Sequence, residues 1–340
     1  MNRRTFWPLV AIAVVALVSP ARAEQQVLRI GTLMPEGSAW AREMVAFMRN
    51  VESSSDGRVR LKVYFGGSTG DEVEELDRVK RGQLDGMIGA MGCERVAPSM
   101  RIVRLPGLFQ NRDEAAAIMN ALIPQFEAEA GKSGFVMPVT AGMGPDVFFT
   151  KQPVHSMAEL KKLRLWRWNA DAVGVPMAQA MGFNVVQTEV YDTAKALAEG
   201  RVDGVAAIPL AALVWQWAAR ARYVTDLRGS YLWGCLLVSA PRFNQLQPED
   251  RSAFRAAAAQ MSARIEAIGR QQDEELLSGK YRAQGPIPVP VSNAFRTEFF
   301  DSARDARERL GEQYVPRALL DRVLRMLADY RAEHVPAASR

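Results

Sequence analysis

One five-residue pattern occurs twice in this chain, in matching surroundings, and it constrains the fold more than any other feature. Gly82-Gln83-Leu84-Asp85-Gly86 and Gly200-Arg201-Val202-Asp203-Gly204 each follow a helical stretch and lead into an apolar strand. One copy is ordinary helix-to-strand chemistry, because glycine supplies the left-handed cap. Two copies in equivalent contexts imply two similar α/β lobes. Before the first copy, Val27 to Thr32 reads as a strand. Ser38 caps a helix with Trp40, Met44, Phe47, Met48 and Val51 on one face. Val59, Leu61, Val63 and Phe65 alternate as a half-buried strand, and Gly66-Gly67 forms a turn. Val73, Leu76 and Val79 mark a second helix, and Leu84 to Met91 a short strand. The second unit repeats this. Leu163 to Trp168 is a strand, Ala172 to Met181 a helix and Val185-Val186 a strand, and Thr188 caps a helix through Leu197. Such alternation predicts largely parallel sheets covered by helices.

From Pro248 the pattern turns helical. One long helix runs toward Leu277, a second spans about Asn293 to Tyr314 and a third Pro316 to Tyr330. The N-terminus reads as an export signal. Arg3 and Arg4 precede an apolar run, Phe6 to Val18, shorter than the roughly 18 residues of a membrane span. Ala21-Arg22-Ala23 then fits a cleavage site, so residues 1–23 are expected to be removed. The arginine pair also resembles a twin-arginine signal, but ordinary general secretion is the preferred reading. Losing Arg3, Arg4 and Arg22 lowers the formal charge from +5 to +2, which leaves no basic surface pointing to nucleic acid. The expected compartment is a periplasm. Cys93 and Cys235 could pair there, but the sequence does not place them together.

Catalytic signatures are weak. Gly66-Gly67-Ser68-Thr69-Gly70 matches Gly-x-Ser-x-Gly, but that chemistry also needs an acid and a histidine. The chain has two histidines, His155 and His334, so a plain glycine-rich turn is the better reading and an exported serine hydrolase the remote one. Glu72, Glu74, Glu75 and Asp77 read as a solvated helix face. No cofactor, no metal and no enzymatic activity are expected.

Several stretches resemble the extracytoplasmic solute receptors of TRAP transporters, the dicarboxylate-receptor-like family. They are residues 29–38, Gly57-Arg58-Val59, 82–86, 104–109, 160–165, 200–204 and 236–239, in the family's order. The resemblance implies a two-lobed periplasmic-binding-protein-like (Venus-flytrap) α/β fold with a long helix crossing both lobes. Lobe I would comprise 24–143 plus 234–273, and lobe II 144–233 plus 274–340. Hinges would lie near Gly142 to Gly144 and Leu232 to Gly234. It further implies a monomeric periplasmic binder of a small organic acid, delivered to the membrane permease subunits of a TRAP transporter.

The ligand site departs from the family's pattern. Family receptors place an arginine on the strand opening the second lobe, where its planar fork binds a carboxylate. The simplest register puts Trp166 there. Alternation points Arg164, Trp166 and Trp168 one way and Arg167 the other; a register shift or bulge could bring Arg167 into the cleft, and otherwise it is a solvent-facing charge. A second family arginine falls near Asp146, which could meet an ammonium or hydroxyl of the solute, or be an exposed turn residue. The family's asparagine after the second Asp-Gly is absent, so that side of the cleft is expected to be apolar. Trp166 and Trp168 suggest an aromatic or hydrophobic acid; a zwitterionic or neutral solute is the rival. Glu36, Met91, Gly92, Cys93, Asp171 and Trp233 are further ligand-binding candidates.

Overall fold

A computed structural model describes residues 25–278 and 285–334; the expected signal segment, 1–23, lies outside them. The chain opens with β1 (Gln26–Thr32), α1 (Ala39–Ser54), β2 (Val59–Tyr64), α2 (Glu72–Lys80) and β3 (Gly86–Gly89). Next come α3 (Met91–Val96), a 3₁₀ segment (Pro98–Arg104), α4 (Arg112–Ala121), α5 (Ile123–Lys132) and β4 (Phe135–Pro145). β5 (Val147–Thr150), α6 (Met157–Lys162), β6 (Arg164–Trp168), α7 (Gly174–Ala180), β7 (Asn184–Thr188), α8 (Thr193–Ala198) and β8 (Gly204–Ala207) follow. Then α9 (Pro209–Val214), β9 (Tyr223–Thr225) and β10 (Tyr231–Ser239) lead to α10 (Ala240–Asn244), α11 (Pro248–Leu277), β11 (Ile287–Val289), α12 (Asn293–Tyr314) and α13 (Arg317–Glu333).

The strands make two sheets. One has the order β2-β1-β3-β10-β4, the other β11-β9-β5-β8-β6-β7. β1 pairs in parallel with β2 and β3, as β6 does with β7 and β8. The repeated pentapeptide has one job in both sheets. Asp85 accepts hydrogen bonds from the Arg29 backbone N–H and guanidinium Nε, both 2.8 Å, and returns its own N–H to the Arg29 carbonyl. Asp203 does the same with Arg164, at 2.9 Å for both bonds. Each aspartate thus locks one strand, β1 or β6, to the turn that opens its parallel neighbour, β3 or β8. Arg164 is thereby spent on this lock and is not a cleft residue.

Local choices follow from caps and burial. Ser38 caps α1 by accepting from the Ala41 N–H, and Asp71 caps α2 through the Val73 and Glu74 N–H groups. Trp40, Met44, Phe47 and Val51 of α1 are buried, and Phe47 packs edge-on to Phe254 of α11, 5.2 Å between centroids. Burying each such side chain contributes about 1.5–3 kcal/mol. The chain passes between sheets after β4 and before β10, where Gly144 pairs with Leu232 and Gly142 with Trp233. A register shift lies between Leu232 and Trp233, within the segments where hinges were expected. α11 packs on both α1 and β4 in the first sheet and on α9, which follows β8 of the second. α13 packs on α4, with Arg331 paired to Glu114 at 2.7 Å.

Four readings need correction. The strand expected at 84–91 ends at Gly89, because the Glu72 carboxylate accepts the Ala90 and Gly92 N–H groups (2.8 and 3.0 Å) and starts α3 there. Glu72 and Glu75 are therefore buried, not a solvated face; Glu74 and Asp77 are exposed. α7 begins at Gly174 rather than Ala172, since Asp171 Oδ1 takes the Gly174 N–H at 2.7 Å. Thr188 caps no helix; it ends β7, and its hydroxyl accepts the Trp166 indole N–H at 2.9 Å.

Candidate functional site

Between the two sheets lies a cavity of about 170 Å³. The first-sheet side of its wall includes Met34, Trp40, Met91, Val139, Met143 and Leu232, with Met261 and Ile265 from α11. The second-sheet side supplies Trp166, Trp168, Ala207, Ile208, Trp215 and Trp217. β8 ends there in Ala206-Ala207, followed by Ile208, the stretch expected to leave the cleft apolar.

A cluster of four charges sits in this apolar wall. Arg104 is 3% exposed, which makes its pairing decisive. Its Nη2 donates to Asp171 Oδ2 at 2.6 Å and its Nη1 to Asp146 Oδ2 at 3.2 Å. Arg167 Nη1 donates to the same Asp146 oxygen at 3.0 Å and lies 3.9 Å from Asp171. The Ser230 hydroxyl gives Asp146 a third donor at 3.0 Å. Burial would lower the Arg104 pKa, but Asp171, Asp146 and Glu94 hold it well above the ordinary range. Burial likewise works against the Asp171 carboxylate, yet Arg104 and Arg167 keep it below its usual value. Glu94 is pushed up to about 8 by burial, and so is mostly protonated at neutral pH. Arg104 and Arg167 thus face Asp146 and Asp171, two basic side chains against two acidic ones.

Arg167 reaches the cavity without a bulge. β6 pairs with β7 in unbroken register from Arg164 to Trp168. The strand ends at Trp168, so both of its faces border the cleft there, and Trp166, Arg167 and Trp168 all line it. Neither the shifted register nor the bulge that could have brought Arg167 inward is present in β6. Among the described residues, Arg167 has a hydrogen-bond partner only at Nη1, which leaves the other edge of its fork open. Asp146, Met91 and Asp171 also line the cavity, so Asp146 is not an exposed turn residue. Four candidates lie outside the wall. Glu36 is exposed in the loop before α1, and Gly92 is consumed by its bond to Glu72. Cys93 is joined to Cys235 in a disulfide, with Cα atoms 5.9 Å apart. Trp233 is 2% exposed and packs over Gly142. The charged lining residues that sequence reasoning missed are Arg104 and Glu72; an arginine within the apolar run Ile102-Val103-Arg104-Leu105 was the available signal for the first. Ser68 has no histidine partner among the described residues: His155 opens the α6 turn and His334 stacks on Tyr330.

Four buried acids make stability depend on pH. Burial raises Glu72 and Asp273 to about 7 and Glu75 and Glu94 to about 8. The folded state then holds protons that the unfolded chain releases between about pH 4 and 8, so stability falls as pH rises through that window. The thermal midpoint is expected to be higher at pH 5.5 than at pH 8.5. Glu75→Gln should flatten the slope, and an unchanged slope would rule Glu75 out as its source. Below about pH 4 the trend reverses, because the salt-bridged Asp171, Asp85 and Asp203 have lowered values.

Comparison with known proteins places the chain. Residues 30–312 match the model of the family described as bacterial extracellular solute-binding protein, family 7. A solute-binding protein of Chromohalobacter salexigens is 26% identical over 230 residues, 66% of each chain. Among solved structures, the sugar acid binding protein DctPAm of Advenella mimigardefordensis, in complex with galactonate, superposes with a TM-score of 0.82 at 17% identity, over 91% of this chain and 99% of the other. DctP7, a Bordetella pertussis extracytoplasmic solute receptor binding pyroglutamic acid, gives 0.78 at 20% identity, over 88% and 99%. The two-sheet architecture is the fold of these receptors.

Proposed function

The chain belongs to family 7 of the bacterial extracellular solute-binding proteins, and from that premise we propose that it is the periplasmic receptor of a TRAP transporter for a small organic acid with an apolar or aromatic body. The observation that carries this reading is the Arg167 guanidinium, held at one nitrogen by Asp146 and open on its other edge, in a wall built mainly of tryptophan, methionine and aliphatic side chains. A carboxylate on that open edge would form charge-assisted hydrogen bonds in a poorly hydrated site. Trp166, Trp168 and Met91 would cover the rest of the solute. Asp146 and Asp171 contribute by fixing the Arg167 fork. The galactonate and pyroglutamate receptors, themselves binders of organic acids, support the class. Solute touches both lobes only when they are together, so binding would favour closure by its differential affinity, and the permease would read the closed form. Export through residues 1–23 and release into the periplasm complete this reading; among the described residues no helix is long and apolar enough to cross a membrane.

A neutral solute is the second reading. It is favoured by Asp146, which already supplies Arg167 with a counter-carboxylate. A thermal-shift screen of aromatic and aliphatic monocarboxylates, sugar acids and the matching amides separates the two. A ligand at about 100 times its dissociation constant adds roughly 2.7 kcal/mol of stability. The expected hit is a monocarboxylate whose amide binds weakly and whose affinity drops about tenfold or more in Arg167→Ala. Equal binding of acid and amide, unaffected by Arg167→Ala, would replace the acid reading with the neutral one.

A further inference from the structure

The glycine-rich turn 66–70 has no catalytic partners, yet it is the seat of a contact between the lobes. Tyr191, in the 3₁₀ turn after β7 of the second sheet, reaches across to it and points its hydroxyl at the Gly70 carbonyl, 3.4 Å away. Gly66 and Gly67 both hold positive φ, +65° and +67°. A β-carbon at Gly67 would overlap the Tyr191 hydroxyl and ring, so only glycine at 67 leaves the seat open.

The same tyrosine is tied to the cavity wall. Its ring meets Trp215 edge-on at 5.7 Å. Trp215 stacks on Trp217 at 6.4 Å and 18°, and Trp217 lies 4.8 Å from Trp166. Trp166, Trp215 and Trp217 all line the cavity. The corner of this aromatic line is Gln216, a non-glycine residue at φ +58°. Left-handed backbone at such a residue costs free energy and persists only where surrounding contacts over-determine it. Here the contacts are the two flanking tryptophans, which the turn brings nearly parallel.

We propose that Tyr191 is a positioning residue for solute binding: it latches the second lobe onto the Gly66–Gly70 turn and, through Trp215 and Trp217, sets the wall beside Trp166 as the cleft closes. The Trp face that would cover a solute is then in place only when the latch is seated. Tyr191 is 42% exposed, so the contact can open and close without disturbing a core. Partial burial first, and then the carboxylates of Glu75, Asp71, Glu189 and Glu74, disfavour a tyrosinate there, and the latch stays neutral.

The test needs no solute, so its outcome does not depend on the solute class proposed above. Glu52→Cys and Lys195→Cys, both exposed and one on each lobe, would carry a fluorophore pair; the native cysteines are held in their disulfide. Single-molecule energy transfer then reads the closed fraction of the ligand-free receptor. Seating the tyrosine hydroxyl and ring on the glycine turn is worth about a tenfold change in that equilibrium. Tyr191→Ala is expected to lower the closed fraction about tenfold with the melting temperature unchanged, and Tyr191→Phe to retain most of it. Gly67→Ala should match Tyr191→Ala, and the double variant should close no less than the weaker single variant. A closed fraction indifferent to Tyr191→Ala, or effects of Gly67→Ala and Tyr191→Ala that multiply, would overturn the latch.

Discussion

Arg104→Met is expected to lower the stability of this receptor by about 3–5 kcal/mol, read from urea unfolding curves. Arg104 bridges Asp146 and Asp171 with separate nitrogens and has 3% of its surface exposed. Without it, two buried carboxylates must share Arg167, which sits 3.0 Å from one and 3.9 Å from the other. Methionine fills most of the volume but satisfies neither. Arg104→Lys is expected to lose nearly as much, because one ammonium cannot reproduce a planar fork that reaches two carboxylates at once. Adding Asp171→Asn to Arg104→Met should recover part of the loss, since it removes one uncompensated charge. A loss under about 1 kcal/mol for Arg104→Met would mean that water reaches the cluster and screens it.

Breaking the Cys93–Cys235 bond is expected to cost about 2–5 kcal/mol. The bond closes a span of 142 residues and fixes α3, which opens at the cavity wall, to β10 in the first sheet. Denaturation with and without a phosphine reductant, and of the Cys93→Ser/Cys235→Ser variant, reads the loss directly. The two should agree. Reduction without effect on the unfolding midpoint would show that the native contacts of α3 alone hold this corner. The bond also accords with an exported protein, since disulfides persist in oxidising compartments.

Much of the architecture was legible in the chain. The bounds of α11 at Pro248 and Leu277, and of α12 at Asn293 and Tyr314, could be read from proline placement and apolar spacing. The paired pentapeptides were legible as an echo, and the structure gives them a matching mechanism in the Arg29–Asp85 and Arg164–Asp203 locks. The site was harder to read. Trp166, Arg167, Asp146 and Asp171 were singled out, but their relation was not, because Asp146 is distant in the chain from the others and Arg104, which ties the two aspartates together, comes from the 3₁₀ segment Pro98–Arg104. Glu36 and Trp233 were further candidates, but Glu36 stays exposed in its loop and Trp233 packs over Gly142. Glu72 and Glu75 looked solvated because hydrophobic periodicity reads charge as surface. It cannot register that a carboxylate is spent on the N–H groups that start α3, or on Thr69 at 2.7 Å.

The sequence by itself determined the elements, their alternation and the doubled lobe, since caps, glycine turns and apolar period act over a few residues and are written in consecutive positions. Only the tertiary structure decided the charge of the cleft, the pairing of Cys93 with Cys235, the free edge of Arg167 and the seat of Tyr191 on Gly67. Each depends on groups brought together from distant parts of the chain, where a few tenths of an ångström and the exclusion of water set the energy, and no local pattern encodes either.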